Sequence, residues 1–492
     1  MLQELNNSTI CAPATSVGQG AIAIIRVSGP QAFEIVSKLF VSPKGHRLET
    51  MKGFTMCYGS VSSGVGELLD DVVVAVFHSP ESYTGEDMVE IYSHASPYIV
   101  SKILELLVCY GCRNAAPGEF TKRAFLNGKM DLAQAEAVAD VIASETEASH
   151  KIAIRQLKGG FSHDLAQMRQ QLLKIVSLME LELDFSEEDV EFADRDQLRR
   201  LLDKTSSHVS DLISSFKLGN AIKNGVPVAI VGATNTGKST LLNALLGEDR
   251  AIVSSIAGTT RDTIEDTINI GGILFRFIDT AGIRRTLETI EIAGIERTYF
   301  KIKQASVVLL VLDYTRQDDF DESIKNLSVN LGSADQQVVI LLNKIDEKPV
   351  AVTSLFEGAN ADAISPEENI GKVCEAISAL ASANGLSPLA ILPISAKKKT
   401  GLEELRTILA SSQSTVNVGV ESVLVSNLRH FNALKDAYEA LLKATVAMDE
   451  NRPTDLVSQD IREAIYCLGT IVGEISTDEV LENIFSKFCI GK

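Results

Sequence analysis

The stretch Gly232-Ala233-Thr234-Asn235-Thr236-Gly237-Lys238-Ser239 decides the fold of the middle of this chain. It matches the phosphate-loop pattern G-x-x-x-x-G-K-[ST]. An apolar run, Val226–Val231, precedes it, and a helical pattern over Thr240–Leu246 follows it. This order of strand, loop and helix predicts backbone amides that face a β-phosphate, because Gly232 and Gly237 let the chain curl tightly.

Four further short segments follow the phosphate loop in a fixed order, and together they predict a guanine nucleotide as the ligand. Asp346 decides the base: its carboxylate can accept hydrogen bonds from guanine N1–H and the 2-amino group, and adenine offers no such pair of donors. A chance match to one segment is plausible, but a chance match to all of them in order is not. The segments are Gly258-Thr259-Thr260-Arg261-Asp262, Asp279-Thr280-Ala281-Gly282, Asn343-Lys344-Ile345-Asp346 and Ser395-Ala396-Lys397.

These residues have predicted places around GTP and Mg²⁺. Lys238 brings a positive charge to the β- and γ-phosphates, and the hydroxyls of Ser239 and Thr260 bind Mg²⁺. Asp279 holds a magnesium-bound water, and the Gly282 N–H faces the γ-phosphate. The predicted GTP-binding residues are Asn235, Thr236, Gly237, Lys238, Ser239, Thr240, Asp279, Thr280, Ala281, Gly282, Asn343, Lys344, Asp346, Ser395, Ala396 and Lys397.

The residue that follows the second of these segments is Ile283. An aliphatic side chain cannot orient the attacking water as a glutamine would at this place. Hydrolysis therefore needs another acid or base, an ion, or a second subunit.

Composition limits the class of protein. The chain has 492 residues, too many for one core, so about two to four domains are expected. A run of about 18 uncharged apolar residues, as a membrane span requires, does not occur, and Met1–Leu5 lacks the features of a secretion signal. Seven scattered cysteines favour a reducing compartment. We therefore expect a cytoplasmic protein without a membrane segment.

The net charge of −19 argues against a protein that coats long stretches of nucleic acid through phosphate contacts alone. It leaves open contact through a local basic patch, or recognition shared with a basic partner. Cys109 and Cys112 form a lone C-x-x-C, which favours two buried thiols because no second pair completes a zinc site.

Apolar patterning divides the chain into parts. Residues 1–118 mix strand-like runs and turns with a helix predicted over Phe33–Phe40, which is typical of an α+β unit. Residues 119–218 and 413–492 have helical periodicity. Residues 219–412 alternate apolar runs with helical patterns, as in an α/β domain with a buried parallel sheet. The predicted fold class is α/β + α, with a phosphate-loop GTPase domain inserted into a discontinuous helical domain.

With these motifs in hand, the chain resembles the MnmE (TrmE) family of bacterial and organellar tRNA-modification GTPases. The resemblance rests on the ending Phe488-Cys489-Ile490-Gly491-Lys492, which matches the family's C-[IVL]-G-K, and on the segments Pro117–Lys129 and Gly294-Ile295-Glu296-Arg297. It implies that residues 1–118 form a folate-binding and dimerisation domain. It also implies a homodimer whose G domains meet when K⁺ and GTP are bound, which promotes hydrolysis.

The resemblance assigns residues to catalysis and to the ion. Glu291 matches the acid that orients the attacking water, although the sequence alone favours a solvated helix residue. Asn235 resembles the family's K⁺ ligand, and Ser254, Ile256 and Thr259 would complete the site. A monovalent cation placed there stabilises charge much as an arginine finger does.

A folate site is also implied. Arg26, Glu90, Lys129 and Lys492 match positions that hold 5-formyl-tetrahydrofolate or methylene-tetrahydrofolate. A pterin offers amide donors to a carboxylate, and its glutamate tail suits a cation. Without the resemblance, all four would be interpreted as surface charges. Cys489 matches the family's C-terminal cysteine, and either a nucleophilic thiol or a structural residue in a folded tail fits its sequence.

The implied substrate is tRNA, and the implied partner is an FAD protein of the MnmG (GidA) kind. Together such proteins install a carboxymethylaminomethyl (or aminomethyl) group at C5 of the wobble uridine. Two alternatives remain open at this point. A ribosome-assembly GTPase switch would need a basic RNA-binding domain, against which the net charge argues. A folate enzyme in which the G domain is only a regulator would tolerate loss of the phosphate-loop lysine.

Overall fold

The computed structural model describes residues 8–16, 18, 20–62, 66–184, 195–248, 266–278, 302–332, 336–347, 366–412, 423–450 and 452–491. The chain forms two compact units. The first comprises residues 1–143, 153–211 and 432–492, and the second comprises residues 144–152 and 212–431.

The first unit begins with a seven-stranded sheet. Its strands are β1 (Ile10–Pro13), β2 (Ile22–Ser28), β3 (Phe40–Val41), β4 (Thr55–Ser62), β5 (Leu68–Phe77), β6 (Met88–His94) and β7 (Arg113–Asn114). Their order is β3-β4-β5-β6-β2-β1-β7, and only the β1–β7 pair is parallel among these strands. Helices α1 (Ala32–Ser37) and α2 (Pro97–Cys109) share an apolar core with one face of the sheet. The predicted mixture of strands and helices is therefore present.

Two local predictions in this region were wrong. The helix predicted over Phe33–Phe40 ends at Ser37, and Phe40 instead begins β3 and pairs with Val61. Phe40 is buried in β3, and a buried apolar residue at this spacing fits a helix equally well, so the pattern did not distinguish the two elements. Cys112 is buried as predicted, whereas Cys109 is exposed at the end of α2.

The chain continues through α3 (Glu119–Leu126), α4 (Leu132–Ala143), α5 (Glu147–Leu157), α6 (Gly160–Asp184) and α7 (Arg195–Asn224). The predicted junction at Gly159 is confirmed, because Gly159 has φ +81° between α5 and α6. The helical prediction for this part of the sequence is therefore borne out for the residues that the structure describes.

The second unit contains a six-stranded sheet. The strands are β8 (Val226–Val231), β9 (Asp266–Ile270), β10 (Ile273–Phe277), β11 (Val307–Asp313), β12 (Gln337–Asn343) and β13 (Ala390–Pro393). The helices are α8 (Lys238–Glu248), α9 (Phe320–Asn330), α10 (Pro366–Ala383) and α11 (Leu402–Ser412). The strand order is β13-β12-β11-β8-β10-β9, and the strands pair in parallel except for β9 with β10. Apolar clusters on both faces bury the sheet, as predicted.

The topology of this sheet places the nucleotide segments that the structure describes at one edge. β8 pairs with β11 on one side and with β10 on the other, so the strand order reverses at β8. Parallel α/β sheets bind ligands beyond the carboxyl ends of their strands at such a reversal. The phosphate loop follows β8 there, and Asp313 and Asn343 lie opposite each other at the ends of β11 and β12.

The last helices, α12 (Leu428–Asp449), α13 (Thr454–Val472) and α14 (Asp478–Phe485), lead to the end of the described chain. In the first unit, α13 packs on α6 and α14 packs on α3. The segment after α14 returns to the N-terminal sheet, where the Gly118 N–H donates to the Cys489 carbonyl at 3.4 Å. A Cβ at Gly491 would lie 2.1 Å from the Pro13 carbonyl oxygen, so this approach requires glycine. Among the helices of the described residues, none has the length and apolar content that a bilayer crossing needs.

Candidate functional site

Two glycines let the phosphate loop pass close to neighbouring groups. At Gly232 φ is +147°, and a Cβ would lie 2.3 Å from the Val311 carbonyl oxygen. At Gly237 φ is +97°, and a Cβ would lie 2.3 Å from Asn343 Nδ2. Asn235 also adopts a positive φ of 64°, which is uncommon for a residue other than glycine. The loop therefore has the tight curl that a phosphate cradle requires.

The ammonium of Lys238 lies over this loop. Its Nζ donates to the carbonyl oxygens of Gly232 and Ala233 at 2.9 and 2.6 Å. Burial lowers the pKa of Lys238. Ser239 is half-buried and Thr240 is exposed, both in the first turn of α8. A cation beside a loop of curled amides is suited to phosphate oxygens.

Asn343 joins three of the predicted segments. Its Nδ2 donates to the carbonyl oxygen of Thr236 in the phosphate loop at 2.8 Å. Its Oδ1 accepts from the N–H of Ala396 at 3.0 Å. Because Asn343, Thr236 and Ala396 are all buried, these hydrogen bonds fix the phosphate-binding and base-binding segments to one another.

Asp346 is held as an acceptor. The hydroxyl of Ser395 donates to Asp346 Oδ1 at 2.7 Å, and the N–H of Lys398 donates in turn to the Ser395 oxygen at 3.1 Å. The Ser395 hydrogen bond holds the pKa of Asp346 below its ordinary value. Asp346 is therefore a carboxylate at neutral pH, as recognition of guanine N1–H requires. Lys397, which is among the predicted GTP-binding residues, is exposed.

Lys344 has a partner that the motifs did not indicate. Lys344 adopts φ +66°, and its Nζ donates to Asp313 Oδ2 at 2.6 Å. Asp313 lies outside all five segments, and only its place at the end of an apolar strand could have drawn attention to it.

The remaining predicted residues of the nucleotide site lie outside the described residues. These residues are Ser254, Ile256, Thr259, Thr260, Asp279, Thr280, Ala281, Gly282 and Glu291. Two predicted ion ligands, Asn235 and Ser239, lie within the described part, and both offer the oxygen atoms that hard cations prefer as ligands.

The first unit contains a cavity of about 630 Å³ on its sheet. Arg26 and Glu90, which are partners in the β2–β6 register, lie in its wall. Lys129 lines the same cavity, so the structure brings together three residues of the predicted folate site. The other lining residues are Phe54, Phe77, Glu81, Ser82, Tyr83 and Met88.

An ion pair is fixed in the wall of this cavity. Arg26 Nε and Nη2 donate to Glu90 Oε1 at 2.9 and 2.8 Å, and the Tyr92 hydroxyl donates to Glu90 Oε2 at 2.9 Å. Burial and this hydrogen bond raise the pKa of Tyr92 to about 12. The Arg26 guanidinium carbon lies 5.2 Å from the Tyr83 ring centroid and 5.6 Å from that of Phe120. Glu90 is only 8% exposed, so the interpretation of these residues as surface charges was wrong for it. The tyrosines were not predicted.

The C-terminal segment reaches the same place. Arg26 Nη1 lies 3.5 Å from the carbonyl oxygen of Gly491, and Lys129 Nζ donates to the Pro80 carbonyl at 3.0 Å. Cys489 is exposed, and Lys492 lies beyond the described residues. The ending of the chain, which supported the resemblance, is therefore close to the cavity.

Known proteins match the whole chain. A model of the MnmE helical domain matches residues 132–489, and a model of the N-terminus of the GTP-binding protein TrmE matches residues 9–129. The chain belongs to the MnmE family. The tRNA modification GTPase MnmE of Parabacteroides distasonis is 49% identical over 488 residues, which cover 99% of this chain and 100% of that protein. The MnmE of Porphyromonas gingivalis is 47% identical over 494 residues, covering 100% of both chains. The resemblance drawn from the motifs is confirmed, and the chain is a tRNA modification GTPase.

Proposed function

We propose that this chain hydrolyses GTP to drive modification of the wobble uridine of tRNAs. With an MnmG-type FAD protein it installs a carboxymethylaminomethyl, or aminomethyl, group at C5. The observation that supports the proposal is that one MnmE-family chain holds the Asp346 carboxylate as an acceptor through Ser395 and also has a cavity lined by Arg26, Glu90 and Lys129. The protein acts in the cytoplasm as a homodimer.

In this proposal the chain has three domains. The folate-binding and dimerisation domain spans residues 1–118, and the helical domain consists of residues 119–218 and 413–492. The G domain, residues 219–412, is inserted between the two helical parts. The six-stranded sheet of the second unit has the described nucleotide segments at the carboxyl ends of its strands, and this arrangement supports the division.

The chain's own residues bind and orient GTP. Lys238 contacts the β- and γ-phosphates, and Asp346 accepts from the guanine. Ser239 and Thr260 would hold Mg²⁺, which neutralises phosphate charge when bound. The loop residue Asn235 would contribute to K⁺ binding with Ser254, Ile256 and Thr259, and Glu291 orients water. The remaining GTP contacts come from Thr236, Gly237, Thr240, Asp279, Thr280, Ala281, Gly282, Asn343, Lys344, Ser395, Ala396 and Lys397.

The cavity of the first unit binds 5-formyl-tetrahydrofolate or methylene-tetrahydrofolate. Glu90, fixed by Arg26, accepts from the amide donors of the pterin, and Lys129 with Lys492 attracts the glutamate tail. The aromatic wall suits a planar heterocycle. Cys489 is a candidate nucleophile because its exposed thiol lies in the segment that reaches this cavity.

Mass spectrometry of wobble nucleosides tests the proposal. A deletion strain is complemented with the wild-type gene, with Lys238→Ala and with the exposed control Lys372→Ala. We expect the modified uridine with the wild type and the control, and its loss with Lys238→Ala. Unchanged modification in the deletion strain would favour a ribosome-assembly switch. Normal modification with Lys238→Ala would favour a folate enzyme that is only regulated by its G domain.

A further inference from the structure

A buried carboxylate outside the five nucleotide segments holds the lysine of the base-recognition segment. Lys344 Nζ donates to Asp313 Oδ2 at 2.6 Å. Asp313 is 4% exposed and lies opposite Asn343 in the β11–β12 register. Its other oxygen, Oδ1, accepts from the N–H and the hydroxyl of Thr315 at 2.9 and 2.7 Å. Both carboxylate oxygens are therefore bonded to donors, and the carboxylate has one orientation.

The backbone on either side of the ion pair is also fixed. Lys344 has φ +66°, a conformation that is unfavourable for a residue with a side chain and persists only where the surroundings enforce it. On one side of Lys344, Asn343 is hydrogen-bonded to the phosphate loop. On the other side, the Ile345 N–H donates to the Ile394 carbonyl at 3.4 Å. Burial acts to raise the pKa of Asp313, but the hydrogen bonds from Lys344 and Thr315 outweigh it and keep the pKa below its ordinary value. Asp313 is thus ionised at neutral pH.

We propose that Asp313 is a positioning residue for guanine recognition, because it fixes the Lys344 side chain in the wall of the base pocket before the nucleotide arrives. The proposal rests on the GTP site described above. A lysine held at both its backbone and its ammonium has already lost the rotamer freedom that binding would otherwise remove. Preorganisation of this kind strengthens binding without contact between Asp313 and the nucleotide.

Asp313→Asn tests the proposal in the full-length protein. The amide places its NH₂ against the Thr315 N–H or against the Lys344 ammonium, and both of these groups only donate, so either orientation breaks the arrangement. We expect the Kd for fluorescent GDP to rise about tenfold, which is about 1.4 kcal/mol. The kcat at saturating GTP should change by less than about twofold, because the lost interaction is uniform binding. Asp321→Asn, an exposed carboxylate in the first turn of α9, is the matched control and should change neither value.

A double-mutant cycle separates positioning from stability. In a Lys344→Met background, Asp313→Asn should cause no further loss of GDP affinity, because the side chain to be positioned is already absent. An equal loss in both backgrounds, or an unchanged Kd in the single variant, would overturn the proposal. Where Asp313→Asn does not fold, Thr315→Val weakens the same carboxylate's support and should raise the Kd in the same direction, and no rise would again overturn it. A wild-type protein that fails to bind GDP would instead contradict the proposed GTP site.

Discussion

The side-chain amide of Asn343 donates to the carbonyl oxygen of Thr236 at 2.8 Å, across 107 positions of sequence. This bond passes directly beside Gly237, where an added Cβ would lie 2.3 Å from the same amide nitrogen. The phosphate loop and the base-recognition segment can therefore be joined only if residue 237 has no side chain. A substitution of Gly237 should therefore weaken binding of the phosphates and binding of the base together.

Gly237→Ala should lower nucleotide affinity strongly. The new methyl group collides with Asn343, and the φ of +97° at this position is unfavourable for alanine, at a cost of about 1–3 kcal/mol. We expect the Kd for GDP to rise about tenfold or more in a fluorescence titration. Gly247→Ala is the control, because Gly247 is exposed in α8 and a Cβ there meets nothing within 4 Å. Equal affinities of the two variants would contradict this account of the glycine.

Asp346→Asn should change the base that the pocket prefers. The carboxylate accepts from two donors of guanine, whereas an asparagine amide offers a donor in place of one acceptor. Xanthine carries a carbonyl where guanine carries its 2-amino group, so XDP should gain affinity as GDP loses it. We expect the affinity for GDP to fall about 100-fold, because a pocket built for hydrogen bonds rejects a mismatch strongly. Competition titrations with GDP, XDP and ADP measure the change, and a uniform loss for all three would argue for simple disruption.

The strands of the second unit were predictable because a buried parallel sheet gives continuous apolar runs. β9 gives no such run, because its sequence, Asp266-Thr267-Ile268-Asn269-Ile270, contains polar residues and pairs antiparallel at the edge of the sheet. The ion pair of Asp313 with Lys344 could not be predicted, since it depends on the parallel register of β11 and β12. The sequence does not specify that register.

The folate candidates came from the resemblance, and the structure adds the reason for their proximity. Arg26 and Glu90 are 64 positions apart, and only the antiparallel register of β2 and β6 brings them together. Tyr92 lies two residues along the same strand, so its side chain is on the same face as Glu90. Residue type alone gave no signal for this tyrosine, because aromatic residues are common in strands.

Asn235→Gly should remove stimulation of GTP hydrolysis by K⁺. Glycine accommodates the positive φ of 64° observed at this position and removes the side chain whose amide oxygen is the proposed ion ligand. For the wild type we expect turnover in K⁺ to exceed turnover in Na⁺ by about tenfold or more, as for other charge-stabilising groups at this step. The variant should show the slow rate in both salts, with little change in GDP affinity. Equal turnover of the wild type in Na⁺ and K⁺ would rule out the proposed ion site.

Glu90→Gln should weaken folate binding while the G domain keeps its activity. The neutral amide loses the charge that pairs with Arg26, and it keeps one oxygen in place of the two that accept from Arg26, Tyr92 and, in the proposed complex, the pterin donors. Calorimetry with 5-formyl-tetrahydrofolate should show at least about a tenfold weaker Kd, while GTP turnover is retained.

Tyr92→Phe removes one hydrogen bond to Glu90 and should have a smaller effect in the same direction. Glu105→Gln, an exposed position in α2, serves as the control. Since the Arg26–Glu90 pair also joins β2 to β6, thermal unfolding is recorded in parallel, and a variant that unfolds early yet binds folate normally would assign the pair to stability alone.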